Sequence, residues 1–201
     1  NKLIHIAPIS TGCLGNCSYC IVKFARVHLY SFPAEKIVQD TATAISDGCR
    51  EVWVTAEDTA TYNDHGTQLH ELLDKIIALP GDFRIRVGMT TPNSFAKILD
   101  PMLESMESPK LYKFIHIPVQ AGNDQILSAM RRKYTVQDFK DVVTRLREAI
   151  PEIGISTDII CGFPGETSKQ FQDSLDLVEW LRPDVLNINR FWERPGTDAS
   201  K

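Results

Sequence analysis

The sequence predicts an α/β fold of parallel strands, expected as a partial, open TIM-like (β/α)6 barrel, with a doubly wound sheet as the alternative. Three observations carry this. Short β-branched runs alternate with helix-length segments along the whole chain. The connections are long enough for the right-handed crossovers that parallel neighbours require. Every unusual motif falls where a strand should end, the edge at which parallel α/β folds gather their sites.

Six runs rich in Val, Ile and aromatic residues read as the strands: LIHIAPI from Leu3, EVWVTAE from Glu51, FRIRVGM from Phe83, YKFIHIPV from Tyr112, IGISTDII from Ile153 and DVLNINRF from Asp184. Helical spacing of apolar residues falls between and after them, over 33–47, 67–79, 93–106, 124–130 with 136–150, and 168–181. Punctuation agrees: Gly48 stands as a stop behind the first helix, and Thr135 as an N-cap before VQDFKDVV. At the strand ends lie, in order, TGCLGNCSYC, Glu57 with Asp58, Met89-Thr90-Thr91, residues 120–123, CGFPGE and RFWERPGT.

A chain of 201 residues, 43% hydrophobic, without low-complexity tracts or internal repeats beyond the βα unit, suits one large domain over residues 1–201. Its start at Asn1 inside a strand-like run and its end after RPGTDASK suggest a piece of a longer protein. No run approaches the roughly 18 apolar residues of a membrane span, and a cytoplasmic location is expected. The net charge of -4 gives no warrant for a nucleic-acid platform within this chain; Arg131, Arg132 and Lys133 are a small local exception that reads as a solvated helix end. Uneven cysteine spacing argues for a reducing compartment, where thiols are free to bind metal.

Cys13, Cys17 and Cys20, three of the five cysteines, are spaced C-x-x-x-C-x-x-C in a Gly-containing loop. Disulfide pairing would strand one thiol. Three thiolates on a cubane iron-sulfur cluster leave the fourth iron open for a small ligand, which makes such a site chemical rather than structural. Catalytic zinc also keeps an open position and competes with this reading. Zinc-thiolate sites more often pair CxxC knuckles or include His, however, and neither His5 nor His28 stands at a standard spacing. Three buried structural cysteines are the plainest alternative.

With Tyr19 as the aromatic before the last cysteine, after the first strand of a βα series, this motif resembles that of the radical S-adenosylmethionine (SAM) superfamily. The resemblance implies a [4Fe-4S] cluster on Cys13, Cys17 and Cys20, SAM held on the free iron by its amino and carboxylate groups, and reductive cleavage to a 5′-deoxyadenosyl radical. The runs TGCLGNCSYCIVKFAR, EVWVTAEDTATY, IHIPVQAGNDQILSAMRRKYT, TDIICGFPGET and INRFWERPGT, in that order across nearly the whole chain, look like those of the methylthiotransferases. Glu-Asp-Thr at 57–59 and TDIICGFPGE are similar to the archaeal and eukaryotic branch, which adds a methylthio group to C2 of threonylcarbamoyl-adenosine beside the anticodon of tRNA. Other branches act on isopentenyl-adenosine in tRNA or on an aspartate of a ribosomal protein.

The same resemblance assigns roles. Glu57 and Asp58 would contact the SAM amino group, Gln120 its ribose or methionine part, and Arg132 its carboxylate through a guanidinium fork. Gly162, Pro164 and Gly165 would shape the loop beside the adenine, and Tyr19 would border the cofactor. It further implies an amino-terminal domain with a second [4Fe-4S] cluster and a carboxy-terminal RNA-binding β-barrel domain, neither within this chain. Flavodoxin or ferredoxin would supply electrons, and a separate source the sulfur. Departures touch substrate detail more than reaction class: Val27 stands where the family has Gly, Ala121 replaces Ser, Ala60 to Asn63 replace a small pair and Tyr-Gly, and Trp192-Glu193 replace Ser-Pro.

Plainer readings apply elsewhere. Cys49 and Cys161 read as structural, His116 as a hydrogen-bonded interior residue, and Asp158 as a carboxylate needing a buried partner or a ligand. Of Trp53, Trp180 and Trp192, only Trp192 stands where a substrate could reach. A radical SAM enzyme acting on another substrate remains one alternative, and a non-catalytic iron-sulfur electron-transfer or structural domain the other.

Overall fold

The computed structural model describes residues 3–26 and 28–201; Val27 lies outside the described residues. Six parallel strands form the frame: β1 (Ile4–Pro8), β2 (Glu51–Thr55), β3 (Arg84–Val87), β4 (Phe114–His116), β5 (Gly154–Cys161) and β6 (Val185–Arg190). β1, β2 and β3 pair in sequence order, as do β4, β5 and β6. The two triplets join at β3 and β4, where Ile85 N–H donates to Lys110 O at 2.7 Å, Tyr112 N–H to Ile85 O at 3.0 Å and Thr90 N–H to His116 O at 2.9 Å. Spatial order therefore never reverses, which excludes the doubly wound alternative. Among the described residues no ladder joins β6 to β1, so the barrel is open.

The helices hold this frame by burying one face. Val52, Val54, Ile85 and Ile155 lie under Leu72, Leu73 and Ile76 of the helix Leu69–Ile77 and Phe139, Val143 and Leu146 of the helix Val136–Ala149, all fully or almost fully buried. At about 1.5–3 kcal/mol for each such side chain, this layer sets the strand positions. The expected caps form: the Thr135 side chain accepts from Asp138 N–H, and Gly48, at φ +99, closes the helix Ala34–Ser46 with Cys49 N–H donating to Ala44 O.

Three segments depart from the expected pattern. The helix expected over 93–106 is three pieces, Pro92–Phe95, Ala96–Ile98 and Leu99–Ser105; Pro101 cannot donate to the turn before it, so the helix restarts at Leu99 with the proline in its first turn. The helix expected from 67 starts at Leu69, because Asn63–Asp64 and Thr67–Gln68 form an antiparallel hairpin through His65 and Gly66, both at positive φ. A second small pair, Ser10–Thr11 with Tyr30–Ser31, closes the base of the cysteine loop, which also carries the short helix Val22–Arg26.

Candidate functional site

The cysteine loop leaves β1 through Gly12, at φ +82, where a Cβ would lie 2.1 Å from the His28 carbonyl oxygen. Only glycine lets the two arms of the loop approach so closely. Within it, Gly15 N–H donates to Cys13 Sγ at 3.1 Å, and a Cβ on Gly15 would sit 3.1 Å from Cys13 Sγ and 3.7 Å from Cys17 Sγ. The space between those two sulfurs is kept clear of side chain. Burial pushes the Cys13 thiol up, with nearby Asp58, Cys17 and Cys20 adding to the effect and the Gly15 N–H opposing it. Bringing negative sulfurs together is unfavourable without a cation or cluster to hold them. Among the described residues no three His, Cys, Asp or Glu side chains converge on one point that a single ion could occupy. A four-iron cube does not ask for that, because each thiolate binds its own iron.

Arg132 reaches this loop from behind. Its Nη1 donates to Cys17 Sγ at 3.1 Å and its Nε to Tyr134 Oη at 2.8 Å. Tyr134 Oη in turn donates to the carbonyls of Val119 at 2.9 Å and Pro118 at 3.2 Å. Burial pushes the Tyr134 phenol up to about 12, so the hydroxyl stays a donor. Desolvation works against the Arg132 charge, but Tyr134, Tyr19 and Cys17 outweigh it and the guanidinium is held more firmly cationic than usual. Its Nη2 makes no hydrogen bond among the described residues, and Arg132 lines a cavity of about 440 Å³ with Cys13, Cys17, Asp58 and Thr91.

The strand ends supply the other groups. Asp58 is buried, and both its oxygens are in use: Oδ1 accepts from Thr90 Oγ1 at 3.2 Å and Thr91 N–H at 3.1 Å, and Oδ2 from Thr91 Oγ1 at 2.6 Å. Glu57 points away from it, 3.7 Å from Arg26 Nε, and borders a different cleft. Gln120 holds a left-handed backbone, φ 75, clamped between β4 and β5 by Gln120 N–H to Asp158 O and Ile160 N–H to Gln120 O. An L residue is strained in that conformation, and strain of this kind is kept where a side chain must point one way. It lines a cavity of about 470 Å³ with Tyr19, Asp158, Asn189, Trp192 and Arg194. Inside the barrel, Asp158 Oδ1 accepts from Asn187 Nδ2 at 2.7 Å and lies 2.9 Å from His116 Nε2.

The turn after β5 takes positive φ at Gly162 and Gly165, with Glu166 Oε2 accepting from Gly162 N–H at 2.7 Å. Gly162, Pro164 and Gly165 are exposed, and the residue that carries the turn inward is Phe163. Its ring meets Tyr19 edge-on at 6.3 Å and Phe191 at 5.5 Å, linking the cysteine loop to the ends of β5 and β6. Burial raises the Tyr19 phenol well above its ordinary value, so it remains neutral.

The structure thus brings Cys13, Cys17, Asp58 and Arg132 to one cavity, with Cys20 near Cys13 but outside its lining, Tyr19 and Gln120 to a second, and Glu57 to a third. Sequence reasoning missed Tyr134 and the Asp58 partnership with Thr90 and Thr91. A buried carboxylate's need for donors and the hydroxyl pair at the next strand end were the available signals. Arg131 stands exposed at a helix end, as read, but sequence reasoning missed its partner: Nη1 donates to Asp198 Oδ2 at 2.6 Å. Cys49 is buried as expected.

Residues 7–178 match the Radical SAM superfamily. The chain is 48% identical over 197 residues to the "Probable threonylcarbamoyladenosine tRNA methylthiotransferase" of Pyrococcus abyssi, a match covering 98% of this chain and 46% of that protein. It is 45% identical over 203 residues to the threonylcarbamoyladenosine tRNA methylthiotransferase of Homo sapiens, covering 100% of this chain and 35% of that protein. It therefore spans about half the length, or less, of these curated relatives. Among solved structures it is similar to the radical SAM methyltransferase TsrM from Kitasatospora setae with cobalamin and [4Fe-4S] cluster bound, with TM-score 0.81 and 18% identity over 98% of this chain and 38% of that one. Coproporphyrinogen III oxidase (HemN) from Escherichia coli gives 0.68 and 16%, over 98% of this chain and 46% of that one.

Proposed function

The chain belongs to the radical SAM superfamily, and from that membership we propose that it is the core of a tRNA methylthiotransferase acting at C2 of threonylcarbamoyl-adenosine. In this reading Cys13, Cys17 and Cys20 hold a [4Fe-4S] cluster. The observation that carries it is the gap at Gly15, where a Cβ would crowd the Cys13 sulfur at 3.1 Å and touch the Cys17 sulfur at 3.7 Å. With SAM on the open iron, such a cluster supplies one-electron cleavage of the sulfonium to a 5′-deoxyadenosyl radical.

The chain's own groups bind and orient. Arg132, firmly cationic and lining the cavity, would supply a guanidinium for a carboxylate such as that of SAM. Tyr134 holds that group at the correct distance from Cys17. Gln120, Tyr19 and the turn 162–165 border the adenosine part, and Glu57, freed from Arg26, would meet the ammonium. Asp58 acts here by fixing Thr90 and Thr91 as the cavity wall. The second [4Fe-4S] cluster, the RNA-binding β-barrel, the sulfur source and the flavodoxin or ferredoxin donor belong to parts or partners beyond this chain.

The test is anaerobic reconstitution with iron and sulfide, reduction, and electron paramagnetic resonance with and without SAM, with 5′-deoxyadenosine assayed in parallel. A reduced-cluster signal that shifts on adding SAM, with deoxyadenosine formed, is the expected result. A signal indifferent to SAM would sink the proposal and leave an electron carrier. Methylthiolation of isopentenyl-adenosine or of a ribosomal protein by the full-length protein, in place of threonylcarbamoyl-adenosine, would move the chain to another branch.

A further inference from the structure

The segment after β6 folds back onto the cysteine loop. Gly196, at φ +83, turns the chain into the short 3-10 turn Asp198–Ser200. Thr197 is completely buried; its Oγ1 donates to Arg194 O and its carbonyl accepts from Ser200 Oγ, both at 2.7 Å. From this turn Ala199 N–H donates to Ser18 O at 2.9 Å, between Cys17 and Cys20. On its other side Ser18 donates through N–H to Met130 O at 3.1 Å and through Oγ to Ala129 O at 2.8 Å.

Arg131 makes the second connection, to Asp198. It follows the helix Asp124–Ala129 in a left-handed conformation, φ 57, with its N–H bonded to Ser128 O and the next N–H, of Arg132, to Leu127 O. Glycine is the default residue at that helix end, because a Cβ strains the backbone there. An exposed ion pair adds little global stability, so the strain is not offset by the Asp198 contact as such. What the arrangement delivers is geometry: the same turn aims Arg132 at Cys17 while Arg131 reaches Asp198.

We propose that residues 196–200 form a positioning strap, in which Asp198 on Arg131 and Ala199 on Ser18 together fix the segment 17–20 against the Arg132 guanidinium. Arg131 also borders the cavity that Arg132 lines; Ser18, Asp198 and Ala199 do not, and act through Cys17 and Arg132. The strap rests on the reading that the loop holds a cluster and SAM only for one of its two readouts.

The experiment uses the full-length protein in four forms: wild type, Asp198→Arg, Ala199→Pro, and the charge swap Arg131→Asp with Asp198→Arg. The first readout, on apoprotein, is the alkylation rate of each cysteine by iodoacetamide, resolved by mass spectrometry. Both single changes should raise the rates at Cys17 and Cys20 by about threefold or more, because local opening governs thiol access, and the swap should bring them back toward wild type. The second readout, on reconstituted protein, is deoxyadenosine formation: KM for SAM should rise by about threefold or more with kcat less affected, the pattern of lost binding rather than lost chemistry. Thermal melts by circular dichroism identify a variant that has simply unfolded, and Asp198→Asn then stands in for it. Rates and KM within twofold of wild type in the folded single variants, or a swap no better than Asp198→Arg alone, would overturn the strap. A wild type that takes up no iron would defeat the cluster reading instead, while alkylation still judges the strap.

Discussion

At the level of single residues, a half-buried carboxylate in this chain is accounted for by its partners, although Ser10 Oγ, Thr41 Oγ1, His70 Nδ1 and Glu166 Oε1 are buried without one. Asp158 is the clearest case. Burial opposes its ionisation, but hydrogen bonds from His116 and Asn187, with the charges of His116 and Arg132, outweigh this and hold its carboxyl below the usual value. A depressed carboxylate contributes stability that is fully present above the unfolded value of about 4 and is lost as pH falls through the lower folded value. Asp158→Asn should therefore cost stability at about pH 5, with the gap to wild type closing toward about pH 3. Urea titrations at those two pH values check this; a gap that widens from about pH 5 to about pH 3 would refute the assignment. Arg132 is likewise held by its partners, its Nε donating to Tyr134 Oη and its Nη1 to Cys17 Sγ.

Among the elements, the cysteine loop depends most on one backbone position. Gly12 combines a positive φ with a carbonyl 2.1 Å from where a Cβ would be, so Gly12→Ala meets both strain and a backbone clash. That change should open the pairing of Ser10–Thr11 with Tyr30–Ser31 and cut iron uptake on reconstitution to below about half of wild type, with the β/α frame intact by circular dichroism. Full iron loading in the variant would show that loop closure is not what gathers the thiols. The sequence made the strands, most helices and the cap at Thr135 legible, because each rests on local pattern. It also located the cysteines, since their spacing is itself the motif. Legibility failed where the determinant is long-range: Arg131 meets Asp198 across 67 positions with nothing nearby to announce the partner, and Asp58 finds Thr91 across 33, where only a carboxylate's need for donors pointed to the hydroxyl pair. The broken helix at Pro101 was legible in principle, and the apolar period around it masked the break.

For the whole molecule, the parallel strands bring every strand end to one mouth, yet the groups collected there divide among three clefts and not one closed pocket. The barrel is open between β6 and β1, and beside that opening Ile6, Ile188 and Trp192 are 60%, 67% and 73% exposed. The chain covers 46% of its Pyrococcus abyssi relative and carries a net charge of -4, which gives little attraction for the phosphates of RNA. In the proposed reading, radical generation needs only the loop, Arg132 and the neighbouring strand ends. Sulfur insertion into tRNA needs a sulfur carrier and a grip on RNA as well. The isolated chain should therefore consume SAM and form 5′-deoxyadenosine once reconstituted and reduced, while yielding no methylthio-nucleoside from tRNA; the full-length protein should yield it from the same tRNA. Nuclease digestion and mass spectrometry of the tRNA separate the outcomes. Methylthio product from the isolated chain would place the sulfur-transferring machinery within residues 1–201. Absence of deoxyadenosine from the chain, with formation by the full-length protein, would mean that the rest of the protein completes the SAM site across the open side of the barrel.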